Sequence, residues 1–443
     1  MSNKLLTTLA LSGALLLGGC GTVDGWFGEP EAPPLPGKRI SVLDSDRTLE
    51  ADAEARDSRI TIPTAVRNND WAQSGGNARN DLQNLTLSSS LNRAWSSSIG
   101  SGNSEGNRLL AQPIVVGDTI YAMDSRSRVS ALSSGNGGQK WRVDLSGDRD
   151  SDGRFGGGLA YKDGTLFVTT GFGEVFALDP ASGQVKWENT TLLPVRAAPT
   201  VANNQVYVIS LDNRLYAFDA DSGERVWDFP GIEEETAFIG AAAPVANDDS
   251  VVAAFSSGEI VSVMSRNGRA LWDDSLAGFR RMDRSRGLAH IRGMPVLDRG
   301  LLTAISNAGR MVAIDQRRGL RVWEASVGGI EMPWSSGNMV YVLSNNNELV
   351  ALLREEGTIR WVAQLPRFED PEDREDPIIW YGPVMGGGNL VIAGSNGDLR
   401  LYDARSGELR SQINLPAGAA ISPVIARETL YVVTDDGQLL ALR

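Results

Sequence analysis

Residues 177–187 read "ALDPASGQVKW", and residues 217–227 read "AFDADSGERVW". A weaker copy of the phrase stands at 313–323, "AIDQRRGLRVW". Aligned on the last residue, six tryptophans each follow a glycine by four positions: Trp141, Trp187, Trp227, Trp272, Trp323 and Trp361. A seventh copy, "LYDARSGELRS", keeps Gly407 but has Ser411 at the tryptophan position. Successive tryptophans lie 38 to 51 residues apart. That is the length of one four-stranded propeller blade.

Within a copy the strands can be read directly. In "APTVANNQVYVISLDNRLYAFDADSGERVW", 198–227, apolar residues alternate in "QVYVIS" and "RLYAFDA", and "NN", "LDN" and "DSGE" are turns. The last copy reaches Arg443 after its third strand. The missing fourth strand is available in "LNRAWSSSIG", 91–100, where Trp95 has no blade before it. The expected fold is therefore all-β. It is an eight-bladed β-propeller whose ring is closed by the N-terminal strand, so that neither ring end is left open to edge pairing. The repeated tryptophans, with Trp95, are expected to be architecture, since the phrase recurs in every blade while a cofactor needs one site.

Composition narrows the chemistry. The 443 residues include 49 glycines, one cysteine and one histidine, and the net charge is −13. An acidic chain lacks the basic field that nucleic-acid binding needs. One cysteine and one histidine exclude a Cys-cluster metal site and the His-rich zinc or iron sites. "DRDSDG", 148–153, copies the first half of a calcium loop, but the twelfth position is Leu159 where a bidentate Glu is required. "FEDPEDREDP", 368–377, packs six acids and two prolines into ten residues and reads as a hydrated loop; calcium binding by its acids, 369–376, stays open, as it does for 148–153. No metal and no cofactor is expected.

The N-terminus reads as processing signals. Lys4 precedes the apolar "LLTTLALSGALLL", 5–17, too short to span a bilayer and suited to a secretory signal. The run ends in "LGGC", 17–20, which resembles a bacterial lipobox. That resemblance implies cleavage after residue 19 and S-diacylglycerol plus N-acyl groups on Cys20; Gly21 resembles the outer-membrane sorting choice. Several acyl chains on one residue give stable anchoring where one gives marginal binding. Residues 20–66 read as a flexible periplasmic tether: "GEPEAPPLPGK" is proline-rich, and "LDSDRTLEADAEARDSR", 43–59, is charged and nearly free of aromatics. The propeller is expected to occupy 67–443.

The repeat resembles the tryptophan-docking motif of the quinoprotein alcohol dehydrogenases, eight-bladed propellers of PQQ-type repeats. That family holds its quinone with a disulfide of adjacent cysteines, a calcium ion and a catalytic Asp. No Cys-Cys pair exists here, and the sole cysteine, Cys20, belongs to the lipobox. The PQQ-dependent dehydrogenase is thus the alternative reading, and a non-catalytic protein the main one.

Lipobox, tether and propeller together resemble the outer-membrane protein assembly factor B family, the propeller lipoproteins of the bacterial β-barrel assembly machinery. "NNDWAQSGGNARN", 68–80, the stretch 155–183 and "FSSGEIVSV", 255–263, are similar to its alphaproteobacterial branch. The resemblance implies an outer-membrane lipoprotein facing the periplasm. It also implies that the propeller binds the POTRA domains of the barrel subunit and assists insertion of β-barrel proteins, and unfolded barrel clients are a further expected partner. The family's contact loops match "EETAFIGAAAP", 234–244, and "SRGLAHIRGMP", 285–295. Matching positions are Thr236, Phe238 and Ile239, then His290 and Arg292. The second loop lies in a basic island with Arg280, Arg281, Arg284 and Arg286. Phe238, Ile239, Arg286, His290 and Arg292 are therefore the expected partner-binding residues.

Overall fold

Blade 3 shows how the phrase folds. Its strands are Thr200–Ala202, Gln205–Ile209, Arg214–Asp219 and Arg225–Pro230, running from the ring centre outward and paired antiparallel. Asp219 Oδ1 accepts the amides of Ser222 and Asp221 and the Ser222 hydroxyl, at 2.8, 3.1 and 3.0 Å. The bonds from Ser222, chiefly its amide, hold the Asp219 carboxyl below its ordinary range. Gly223 donates its amide to Asp219 O with φ +75, a conformation that suits glycine. In the outer strand Trp227 pairs with Ala217 and Arg225 with Phe218, so Val226 is an extra, bulged residue. The residue facing Trp227 is alanine, which leaves room for the indole.

The indole closes the seam to the next blade. Trp227 Nε1 donates to Ser265 O at 2.8 Å, and its ring covers Gly268, where a Cβ would stand 2.6 Å from the ring. Trp95, Trp141, Trp187, Trp272, Trp323 and Trp361 cover Gly137, Gly183, Gly223, Gly319, Gly357 and Gly407 in the same way. Their indoles donate to Ser134, Pro180, Ala220, Gln316, Arg354 and Ala404 carbonyls at 2.7–3.3 Å.

The structure is a computed structural model that describes residues 48–147, 156–234, 239–277 and 289–443. It contains eight four-stranded antiparallel sheets and, among the described residues, no helix. Blades 1 to 7 span 114–144, 157–190, 200–230, 245–275, 296–325, 334–364 and 380–414. Blade 8 joins Val424–Ala426, Thr429–Val433 and Gln438–Leu442 to the N-terminal strand Arg93–Ser98, which pairs with Gln438–Leu442 as the outer strand. The seam between blades 7 and 8, with Ser411 on the outer strand, holds a groove of about 440 Å³ lined by Leu91, Ile413, Leu415, Leu440 and Leu442 among others.

Two N-terminal stretches differ from the sequence expectation. Residues 48–62 do not hang free. Asp52 exchanges bonds with Ile359, its amide to the carbonyl at 2.8 Å and its Oδ2 accepting the Ile359 amide at 2.6 Å. Arg360 donates to Ser58 O, and Asn338 bonds Arg59 and Thr61. Ala55 and Ile62 are buried against blade 6. The compact body thus begins at Thr48, not at residue 67. Scattered apolar residues, with backbone and side-chain bonds to blade 6, suffice to dock a stretch in which six of fifteen residues are charged.

Residues 66–87 cross the ring centre and reach every blade. Trp71 pairs with Val115, and the Tyr161 amide donates to Ala72 O. Gln73 bonds Val201 through both side-chain atoms. The Ala246 and Leu297 amides donate to Ala78 O and Arg79 O. Trp334 donates to Gln83 O, Leu85 pairs with Gly386, and Asn68 donates to Ile425 O. Trp71 stacks on Trp334 at 6.3 Å, both fully buried. A single segment therefore plugs the channel.

Candidate partner-binding face

In every blade the loop from the outer strand to the next inner strand lies on the same side of the ring, because four antiparallel strands return the chain to one face. These loops surround the channel mouth. Inside it is a cavity of about 100 Å³ with Ser74 and Gln112 among its lining residues. The Ser74 hydroxyl and the Gly75 amide donate to Gln112 Oε1 at 3.2 and 2.9 Å, so the crossing segment forms its floor.

Arg292 and Glu331 meet in the wall, with Nη1 3.5 Å from Oε1 and both side chains largely covered. Glu331 Oε2 accepts the Ser422 hydroxyl at 2.7 Å and the Gly382 amide at 3.5 Å. Burial pushes the Glu331 carboxyl up, against the pull of Arg292 and these donors. Arg292 is thus a paired cation of the channel wall rather than a free surface charge. Glu331 gave no sign in the sequence, because "GIEMP" carries nothing that places an acid opposite Arg292.

His290 is 1% exposed. Burial first, then the charges of Arg292 and Arg196, lower its pKa to about 4, so the ring is neutral at neutral pH. This corrects the expectation that His290 touches a partner. It packs beneath the loop, where a histidine serves as a half-apolar filler. Ile239 is on the surface, 44% exposed. Phe238 and Arg286, with Thr236, Arg280, Arg281 and Arg284, lie outside the described residues, as do Cys20 and 148–153.

The sequence reading missed three apolar side chains on this face. Leu192 is 81% exposed, Ile232 59%, and Leu193 is also exposed. Leu192 has φ +68, an uncommon conformation for a branched residue, held by its amide to Thr190 Oγ1 and by Thr191 Oγ1 to Leu193 O. The turn 211–213 joins both loops: Leu211 donates to Pro194 O, and Asn213 donates to Ile232 O. The apolar pair in "TTLLP" falls in an inter-blade loop, which is the signal that could have found it.

Residues 368–377 are not a loop but an exposed hairpin, Phe368–Asp370 with Glu375–Pro377. Asp370 accepts the amides of Glu372 and Asp373. Among the described residues no cluster of three His, Cys, Asp or Glu has metal-binding geometry.

Fold and face define the class: an eight-bladed propeller of PQQ-like repeats whose channel is plugged. A family model described as outer membrane protein assembly factor BamB matches residues 54–154, 125–363 and 369–443. The chain belongs to that family. It is 24% identical over 358 residues to outer membrane protein assembly factor BamB of Yersinia pestis, covering 79% of this chain and 88% of that one. The crystal structure of BamB from Moraxella catarrhalis superposes with TM-score 0.67 at 19% identity, over 80% of this chain and 99% of that chain. Quinohemoprotein alcohol dehydrogenase from Comamonas testosteroni shares the fold at TM-score 0.64 and 15% identity, over 88% of this chain and 83% of that chain.

Proposed function

We propose that the protein is a non-catalytic scaffold of the outer-membrane β-barrel assembly machinery, with the loop face as its docking surface for the POTRA domains of the barrel subunit. The observation that carries this is the row of exposed apolar side chains, Leu192, Leu193, Ile232 and Ile239, on two neighbouring loops of one face. Apolar side chains grouped on one face mark an interaction site more than scattered ones do. Unfolded barrel clients would meet the same face. Residues 1–19 act as the signal, lipidated Cys20 anchors the chain to the outer membrane, and the stretch up to 47 spaces the propeller into the periplasm. The dehydrogenase reading fits poorly. The crossing segment floors the channel mouth through Ser74 and Gly75, and Arg292 and Glu331 pair in its wall.

The test is co-purification from detergent-extracted outer membranes. The wild-type chain should recover the barrel subunit, and Leu192→Asp with Ile239→Asp should lose it while keeping the propeller's circular dichroism. Undiminished recovery by that double variant would overturn the docking surface. Cys20→Ser should leave the chain in the aqueous fraction; continued partition into detergent would overturn the anchor.

A further inference from the structure

The loops of the docking face come from different blades, and something must hold them at fixed relative heights. Glu331 stands where four of them meet, its own among them. Its carboxylate takes Arg292 from the loop before blade 5, Gly382 from the start of blade 7 and Ser422 from the loop before blade 8. Its own carbonyl lies 2.4 Å from where a Cβ on Gly293 would be, so its backbone runs close against the loop before blade 5, where only glycine leaves room. Arg292 in turn lies over Gly240, its Nε 3.0 Å from where a Cβ on that glycine would stand, and both line the same cavity. Gly240 is next to Ile239 and has φ +92. A chain of contact therefore runs from Ser422 through Glu331 and Arg292 to the loop that exposes Ile239.

We propose that Glu331 is the positioning residue of the docking face: without touching the partner, it fixes Arg292 and through it the loops 239–243 and 289–293. This rests on the docking face assigned above. A carboxylate is suited to the task because its two oxygens can serve a guanidinium and two neutral donors together. The pair is interdependent. Removing Arg292 leaves a buried carboxyl without its cation, and removing Glu331 leaves Arg292 free to leave the wall.

Glu331→Gln keeps size and the capacity to accept from Ser422 but loses the charge. Hydrogen exchange of the isolated full chain should then rise about tenfold at amides in 239–243 and 289–295 and stay at wild-type rates in the blades, with an unchanged melting temperature. Binding of the purified POTRA domains of the barrel subunit should weaken about tenfold. Arg292→Gln should do the same, and the double variant should be no worse than the poorer single one, because one contact is lost in each case. Wild-type exchange and wild-type binding in Glu331→Gln would overturn the proposal, as would additive losses in the double variant. If the wild-type chain fails to bind the POTRA domains, the docking reading falls, while the exchange result still decides whether Glu331 fixes the loops.

Discussion

At the residue scale, the glycine of the repeated phrase carries two separate constraints. At Gly223 a Cβ would meet the Trp187 ring at 2.6 Å, and φ is +75. At Gly164 φ is +79 but nothing lies within 4 Å. Gly223→Ala should therefore cost about 2–4 kcal/mol, backbone and overpacking together, and Gly164→Ala about 1 kcal/mol from the backbone alone. Urea unfolding of both variants checks this, and equal losses would contradict the wedge. His290 makes a second prediction. Its folded pKa of about 4 lies below the ordinary value of 6.5. The unfolded chain thus binds its proton first as pH falls. Stability is unaffected above pH 6.5, declines as pH drops toward 4, and the loss approaches roughly 3 kcal/mol below that. His290→Gln should flatten that part of the stability profile between pH 7 and 4.5, and an unaltered slope would show that other groups set it.

At the element scale, seven seams have an indole between blades and one does not. At that seam Ser411 stands where the others have an indole, and a groove of about 440 Å³ lies between the blades. The seam between blades 7 and 8 should open first: hydrogen exchange should be fastest in 409–414 and 424–433 compared with equivalent strands elsewhere. Uniform exchange around the ring would count against it. The seams also explain what the sequence could tell. Gly-plus-four tryptophans set the blade count, since each wedge demands a small turn residue, and the orphan Trp95 revealed the closing strand. The segments 48–62 and 66–87 were not legible. Their affinity for the ring lies in backbone amides and in Asn and Gln side chains, such as Gln73 and Asn338, which have no periodic pattern. Of the residues expected to meet a partner, the structure exposes Ile239 and buries His290, and the Arg292–Glu331 pair was not legible because it joins residues 39 apart in loops of separate blades.

At the scale of the whole molecule, the plug ties the ring together. Asp298, 4% exposed, is bonded by Gln83 from the crossing segment and by Arg299, Ser335 and Arg354 from the ring. Asp298→Ala would leave the buried Arg354 without this carboxylate. The melting transition should fall by the equivalent of about 3–5 kcal/mol, and protease should cut within 66–87 at temperatures where the wild-type chain resists. A melting point unmoved by Asp298→Ala would mean the network is dispensable.

That plug also has a consequence in time. Residues 66–87 emerge from the ribosome before any blade, yet their partners extend to Ile425. A stretch made before every blade is thus among the last that can settle. Until the final blade is made, a stretch containing Trp71 stays solvated and open to chaperones and proteases. Maturation should be a single late event, dated by the moment Trp71 becomes inaccessible to a quencher, rather than a blade-by-blade accretion.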